Sequence, residues 1–295
     1  SSTWGRKPLP TNQSIGLAPD SGDSARRLTC TDVFQRNWSR VARAREAGGG
    51  ELFLKQFVDR RGQWHEDHWR YEEQGTVVAR RAIGTLVHVP DLRLRSAESL
   101  TLGYELLDVA AFDDLLRDDP DRFEELLPSL LEGLCALMEE LERSVGEDLG
   151  DLPTKSRPYD TGRPSLCFKG LDVRNLGCLP RSAKLVAFDF GRPYRTPVEE
   201  AAAKLLVSIG LLNWGRPVSR FVQGPDPALF ADAARALRPW TSLAATRAEL
   251  APHPAVRTQT LQGRTVEGAL KRWGVHLAGR RYLARLEHPS TETLG

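Results

Sequence analysis

Residues 166–191, LCFKGLDVRNLGCLPRSAKLVAFDFG, decide the fold. The apolar run at 184–188 (KLVAF) is as short as a buried strand, and Asp189-Phe190-Gly191 follows it at once. Asn175 stands fourteen residues before Asp189, at the end of a polar loop. A loop, a hairpin and a strand bring its amide and the Asp189 carboxylate together. Two hard oxygen donors of this kind suit Mg²⁺ carried on a nucleotide phosphate, because that ion takes few protein ligands and keeps phosphate oxygens around it.

The stretch resembles the catalytic loop and metal-binding turn of the protein-kinase-like superfamily, and most closely its aminoglycoside-phosphotransferase branch. The resemblance implies an α+β, two-lobed kinase-like fold: a small antiparallel sheet with one helix, then a mainly helical lobe. It implies ATP and Mg²⁺ as cofactors, with Asn175 and Asp189 on the metal. On this plan residues 1–27 are an arm, 28–107 the nucleotide-binding lobe, and 108–295 the helical lobe with the metal and acceptor site.

Upstream, residues 28–36 and 40–44 read as two strands, and Ala47-Gly48-Gly49-Gly50 as the turn into a third at 51–58 (ELFLKQFV). Lys55 in that third strand matches the family's lysine for the α and β phosphates. The loop Asn37-Trp38-Ser39 would cover those phosphates, without the glycines of a protein-kinase loop. A helical segment at 63–83 follows. The family pairs its lysine with a glutamate there, and Glu73 is the assignment, with Glu72 beside it; neighbours on a helix lie about 100° apart, so only one of them faces in. Gly75 weakens this helix and blurs its boundary. Residues 91–95 and 100–105 read as two more strands. Residues 105–109 resemble the hinge, so Glu105 and Leu107 are expected to meet the adenine edge through backbone groups.

Phe123, Leu126, Leu127, Leu130, Leu131, Leu134, Leu137, Met138 and Leu141 recur at spacings of three and four, which predicts a core helix over 121–145. Residues 146–164 read as a charged loop, a lid or a partner surface. Thr196-Pro197-Val198-Glu199 has the pattern of a capping box opening an almost wholly apolar, buried helix. Further helices are expected near 226–237, 241–249 and 265–286.

The family's catalytic loop carries an Asp five residues before the metal Asn. Here that position is Gly170, so the carboxylate that takes the proton of the attacking hydroxyl is absent. Asp172 lies two residues on. Either it acts as a displaced base or extra metal ligand, or the loop is dead and the protein is a pseudokinase that binds a partner enzyme or peptide. Arg174, Arg192 and Arg195 are placed to take phosphate or an acidic acceptor. Only four residues, 192–195, separate Asp-Phe-Gly from the capped helix, too few for a regulated activation loop. The reading is an ATP- and Mg²⁺-dependent phosphotransferase-like protein acting on a small molecule or a peptide.

The totals fit this. A chain of 295 residues with 40% hydrophobic and 27% charged residues is long enough for two lobes. A formal net charge of +2 gives no reason to expect a nucleic-acid or membrane partner. Cys30, Cys135, Cys167 and Cys178 form no CxxC pair and read as reduced thiols of a cytoplasmic protein. The first 27 residues, rich in Ser, Pro, Gly and Asp, have the composition of an arm without its own core.

Overall fold

The structure is a computed structural model that describes residues 28–36, 38–46, 48–179, 184–210 and 227–250. The proposed arm, the end of the apolar helix and the expected helix at 265–286 lie outside those residues.

The first part is an antiparallel sheet built from β1 (Leu28–Gln35), β2 (Arg40–Glu46), β3 (Glu51–Gln56), β4 (Leu92–Ser96) and β5 (Thr101–Glu105), in the order β1-β2-β3-β5-β4. One helix, α1 (Glu66–Ile83), crosses between β3 and β4. The register pairs Lys55 with Leu102 and Phe53 with Tyr104, so these four share one face of the pleat. On that face Phe57, Leu102 and Tyr104 form a small cluster against Phe53 and Trp69 of α1. Ala44, Leu52 and Leu54 cluster on the other face.

The rest is mainly helical. After β6 (Ala110–Ala111) come α2 (Phe112–Asp118) and α3 (Pro120–Arg143). The α3 start is set by Asp119, whose side chain accepts from the Arg122 amide, and by Pro120 in the first turn, where its missing N–H costs nothing. Phe123, Leu126, Leu130, Leu134, Leu137, Met138 and Leu141 are buried, and they form the main core with α1 and with α4 (Val198–Gly210). Short strands β7 (Pro164–Phe168), β8 (Leu176–Cys178), β9 (Leu185–Ala187) and β10 (Pro193–Pro197) frame the loop of interest: β7 pairs with β10, and β8 lies between β6 and β9. Helices α5 (Pro227–Ala236) and α6 (Leu243–Leu250) pack behind.

One local expectation is corrected. Thr196 does not cap α4 in a box with Glu199: its hydroxyl donates to Glu200, Glu199 accepts from the Thr161 hydroxyl, and the Val198 amide donates to the Arg163 carbonyl. The β7–β10 ladder runs on to Pro197–Pro164 and supplies that carbonyl, so no side-chain cap is needed. The stretch 147–163 is a loop, tied down where Thr154 bridges to Arg195 and the Lys155 amide donates to the Arg195 carbonyl. No described helix is long and apolar enough to cross a membrane.

Candidate nucleotide and metal site

Lys55 is the next-to-last residue of β3, where pairing with Val41 on one side and Leu102 on the other fixes its direction. Its side chain is buried and its ammonium is bonded to two carboxylates, Glu72 of α1 at 2.5 Å and Asp189. Burial, the largest influence, pushes Lys55 down, but Asp189 and Glu72 outweigh it and hold the ammonium above its ordinary value. Burial acts on Asp189 too, yet Lys55, helped by Arg36 from the β1–β2 connection, brings that carboxyl down to about 2. For Glu72 burial prevails over Lys55 and pushes the carboxyl up to about 7. The Tyr104 hydroxyl donates to the second Glu72 oxygen at 3.1 Å.

The glutamate that meets Lys55 is therefore Glu72 and not Glu73. Glu73 is half-buried and faces Arg95 at 3.4 Å, one step round the helix. Gly75 does not break α1, which is continuous through it. A Cβ there would fall within 3.0 Å of the Gly191 carbonyl oxygen and meet Phe190 at 3.0 Å, so glycine is what lets the α1 backbone lie directly on the Asp-Phe-Gly turn.

Asp189 has φ +61°, the left-handed region that non-glycine residues seldom occupy. Such strain persists only where the surroundings fix it, and it aims this carboxylate at Lys55. Asn175 sits on the neighbouring loop, its carbonyl accepting from the Phe188 amide and its Nδ2 donating to the Gly170 carbonyl at 2.9 Å. That leaves Oδ1 as the free donor atom for a cation. No cluster of three His, Cys, Asp or Glu suited to a metal occurs among the described residues. The donor set here is one carboxylate and one amide oxygen, which fits an ion that takes its remaining ligands from phosphate and water.

Gly170 packs as closely as Gly75. A Cβ on it would come within 3.0 Å of the Asp189 carbonyl oxygen and 3.2 Å from the Gly191 amide. On this backbone no carboxylate side chain fits at the position where the kinase-like loop carries its Asp. Asp172 is not a free substitute. Both of its oxygens are engaged by the Arg174 guanidinium, and Oδ1 also accepts from the Arg174 amide at 2.9 Å. The Val173 amide that follows is held by the buried Ser208 hydroxyl of α4 at 2.9 Å. The loop is thus fixed from behind.

At the proposed hinge the Glu105 amide donates to the Asp91 carbonyl, and its carboxylate lies 2.5 Å from His88 Nε2. The His88 backbone in turn bonds Leu185 and Ala187 of β9, tying the hinge to the strand that leads into Asp189. Leu107 is half-buried in the connection between β5 and β6. Over the other side of the site, Trp38 of the β1–β2 connection stacks on His68 of α1, with ring centroids 5.6 Å apart, and meets His65 edge-on. Ser208 and Tyr104 escaped the sequence reading, as did the packing role of Gly75 and the stacking of Trp38 on His68. Only Glu72 had a usable signal: the buried set Ala79, Ala82 and Ile83, stepped back in threes and fours, reaches Gly75 and then Glu72.

The element order, a five-stranded antiparallel sheet with one crossing helix followed by helices, together with a strand lysine bonded to that helix's glutamate and to the Asp-Phe-Gly aspartate, is the plan of a protein-kinase-like chain. No protein-family model matches the sequence, and no curated protein matches it. Solved structures similar to it include a protein described as a fructosamine-3-kinase from Thermobifida fusca, with 16% identity over 88% of this chain and 95% of that one and a TM-score of 0.45. A macrolide 2'-phosphotransferase from Brachybacterium faecium has 16% identity over 94% and 91% of the two chains, with a TM-score of 0.36. An ethanolamine kinase from Plasmodium vivax has 9% identity over 86% and 82%, with a TM-score of 0.41.

Proposed function

We propose that this chain is an ATP- and Mg²⁺-dependent phosphotransferase acting on a small molecule. The observation that carries the reading is the buried Lys55 held between Glu72 and Asp189. A buried cation flanked by two carboxylates on three separate elements is costly unless used, and it is poised to take phosphate oxygens when Asp189 turns to a metal. In this reading Lys55 binds the α and β phosphates, Asp189 and Asn175 hold Mg²⁺, and Glu72 orients Lys55. Phe53, on the Lys55 face of β3, offers the adenine an aromatic surface beside the backbone of Glu105 and Leu107. Bound Mg²⁺ would neutralise charge on the phosphates as the bond to the leaving group breaks. A paired post-Gly191 segment favours a small-molecule acceptor over a protein whose docking needs an adjustable loop.

A second reading, a pseudokinase that binds a partner without phosphoryl transfer, draws on Gly170, where the backbone leaves no room for the usual base. The two part in a calorimetric titration of Mg²⁺-ATP into wild type and Asp189→Ala, followed by ADP release assays. The phosphotransferase reading expects binding by the wild type alone and slow ADP formation. Equal affinity in the two proteins refutes the metal assignment, and binding without any ADP formation refutes transfer.

A further inference from the structure

The environment of Gly170 bears on what the acceptor can be. A hydroxyl acceptor must lose a proton, and the two places for a base are closed: Gly170 lies against the Asp189 carbonyl, and Asp172 is chelated by Arg174. In contrast, Lys169 precedes Gly170 and Arg192 follows Gly191, a cation on one side of each. The β7–β10 ladder ends at the pair Phe168–Pro193, and the Lys169 amide donates to the Arg192 carbonyl at 3.1 Å, so Lys169 and Arg192 stand directly opposite each other one step on. Like charges in that arrangement repel. Both side chains are exposed, and neither has a carboxylate partner among the described residues. The Arg192 guanidinium lies 5.2 Å from the Tyr71 ring of α1, and Lys169 lies close enough to His68, with Lys55, to hold that imidazole below its ordinary value beyond what burial and His65 do. Asp67 acts on His68 in the opposite sense. Lys169 and Arg192 therefore add positive charge beside the Asp-Phe-Gly turn, where Lys55 is already bonded to Glu72 and Asp189, and neither loop position 170 nor 172 offers a free carboxylate.

We propose that the phosphoryl acceptor is an oxyanion, a carboxylate or phosphate group of a small molecule, held by Lys169 and Arg192. The proposal rests on the phosphotransferase reading and names its substrate class. An oxyanion needs no base, because it arrives without the proton. Its oxygen forms a bond to the γ-phosphorus of ATP, the bond from that phosphorus to the β-bridging oxygen breaks, and the electron pair leaves on ADP. A carboxylate gives an acyl phosphate and a phosphate gives a pyrophosphate. Nothing is oxidised or reduced, and no proton is released. A hydroxyl acceptor would release a proton for every ADP formed.

The test uses the full chain with Mg²⁺-ATP in a lightly buffered solution at pH 8, with succinate and inorganic phosphate as oxyanion probes and glycerol as a neutral hydroxyl probe. ADP, proton release, hydroxylamine-trapped acyl phosphate and pyrophosphate are followed together. Titration of each probe into the protein with a non-hydrolysable ATP analogue gives binding independently of turnover. The expected result is that an oxyanion probe binds and stimulates ADP formation without proton release; trapped hydroxamate marks a carboxylate acceptor and pyrophosphate a phosphate. Lys169→Gln and Arg192→Gln should each weaken probe binding about tenfold, as loss of one charge-assisted contact does, and weaken it more than they weaken Mg²⁺-ATP binding. Turnover with glycerol and proton release, or no oxyanion binding by protein that does bind Mg²⁺-ATP, overturns the proposal. Failure to bind Mg²⁺-ATP at all removes the phosphotransferase reading and this inference with it.

Discussion

Replacing Gly170 by Asp supplies, on paper, the carboxylate of the kinase-like loop, and the close packing at 170 predicts no gain in turnover from it. The Cβ of any residue at 170 falls inside 3.0 Å of the Asp189 carbonyl oxygen, whereas ordinary contact begins at 3.4 Å. The loop and the Asp-Phe-Gly turn must part by about 1 Å to admit it. Neither can yield cheaply. Asn175 ties the Gly170 carbonyl, the Ser208 hydroxyl holds the Val173 amide, and the far side of the turn rests on Gly75. Overpacking of a fixed site of this kind costs about 1–3 kcal/mol. For a chain of this size that lowers the melting temperature by roughly 2–10 °C. The displaced Asp189 should also bind Mg²⁺-ATP more weakly, and an added carboxylate beside it should weaken binding further. Gly170→Ala separates the two effects, since it brings the Cβ without the charge. Thermal unfolding with and without Mg²⁺-ATP, and ADP release, are the measurements. If Gly170→Asp keeps the wild-type melting temperature and gains turnover towards the roughly 10²–10⁴ that a general base supplies, the close packing is not what shaped this loop.

Gly75→Ala should improve helix propensity by about 1 kcal/mol, yet the contact with Gly191 makes the expected net effect a loss of about 1–3 kcal/mol with weaker Mg²⁺-ATP binding; a gain in denaturant stability would contradict the packing account. Glu72 has a carboxyl raised in the fold to about 7 against an ordinary 4.5, so stability should fall as pH rises between those values and be flat above. Glu72→Gln should remove that slope in denaturation curves measured across the range, and an unchanged slope would locate the titrating group elsewhere. Asp189, lowered to about 2 from 3.8, contributes in the opposite sense, with stability present above 3.8 and lost as pH falls through about 2. Ser208→Ala leaves the buried Val173 amide without its partner and should cost about 1–3 kcal/mol. Glu200→Ala should cost more, about 3–5 kcal/mol, because it strands the partly buried Arg157 and the Tyr194 and Thr196 hydroxyls bonded to that carboxylate; equilibrium denaturation of both variants checks the ranking.

Much of this site was legible because charges in apolar settings stand out. Lys55 sits among Leu52, Leu54 and Phe57, and Asp189 ends an apolar strand, so both can be picked from the chain alone. Glu72 was one residue away from the glutamate assigned to Lys55, since the first half of α1 carries only Trp69 and Tyr71 among polar residues and its aliphatic inward face begins at Val78. Glycines are read in a sequence as flexibility, and at 75 and 170 that reading fails. Each is fixed by another backbone lying against it, a contact between segments more than a hundred residues or about twenty residues apart that no local pattern encodes. The Thr196 pattern misled for a related reason: a capping box is a local device, and a β-ladder carbonyl from Arg163 had already met the need.

What the chain keeps and what it gives up can be weighed against each other. In phosphoryl transfer most of the barrier is lowered by positioning and by cations around the moving phosphate, and the base contributes the smaller share. Here the cations are retained and their holders are rigid. Lys55 is clamped by two carboxylates, and the segment after Gly191 is pinned twice, by β7 on one side and by Thr154 and Lys155 on the other. Lys155 also lies 3.4 Å over the Tyr194 ring, whose hydroxyl is bonded to buried Glu200. A buried lysine between two carboxylates, a strained Asp189 and a Lys169–Arg192 face with no carboxylate partner among the described residues each cost stability by themselves, and the phosphotransferase reading gives all three a use. Their coexistence with a glycine that leaves no room for a carboxylate is what the proposed oxyanion acceptor would account for, since such an acceptor brings its own negative charge.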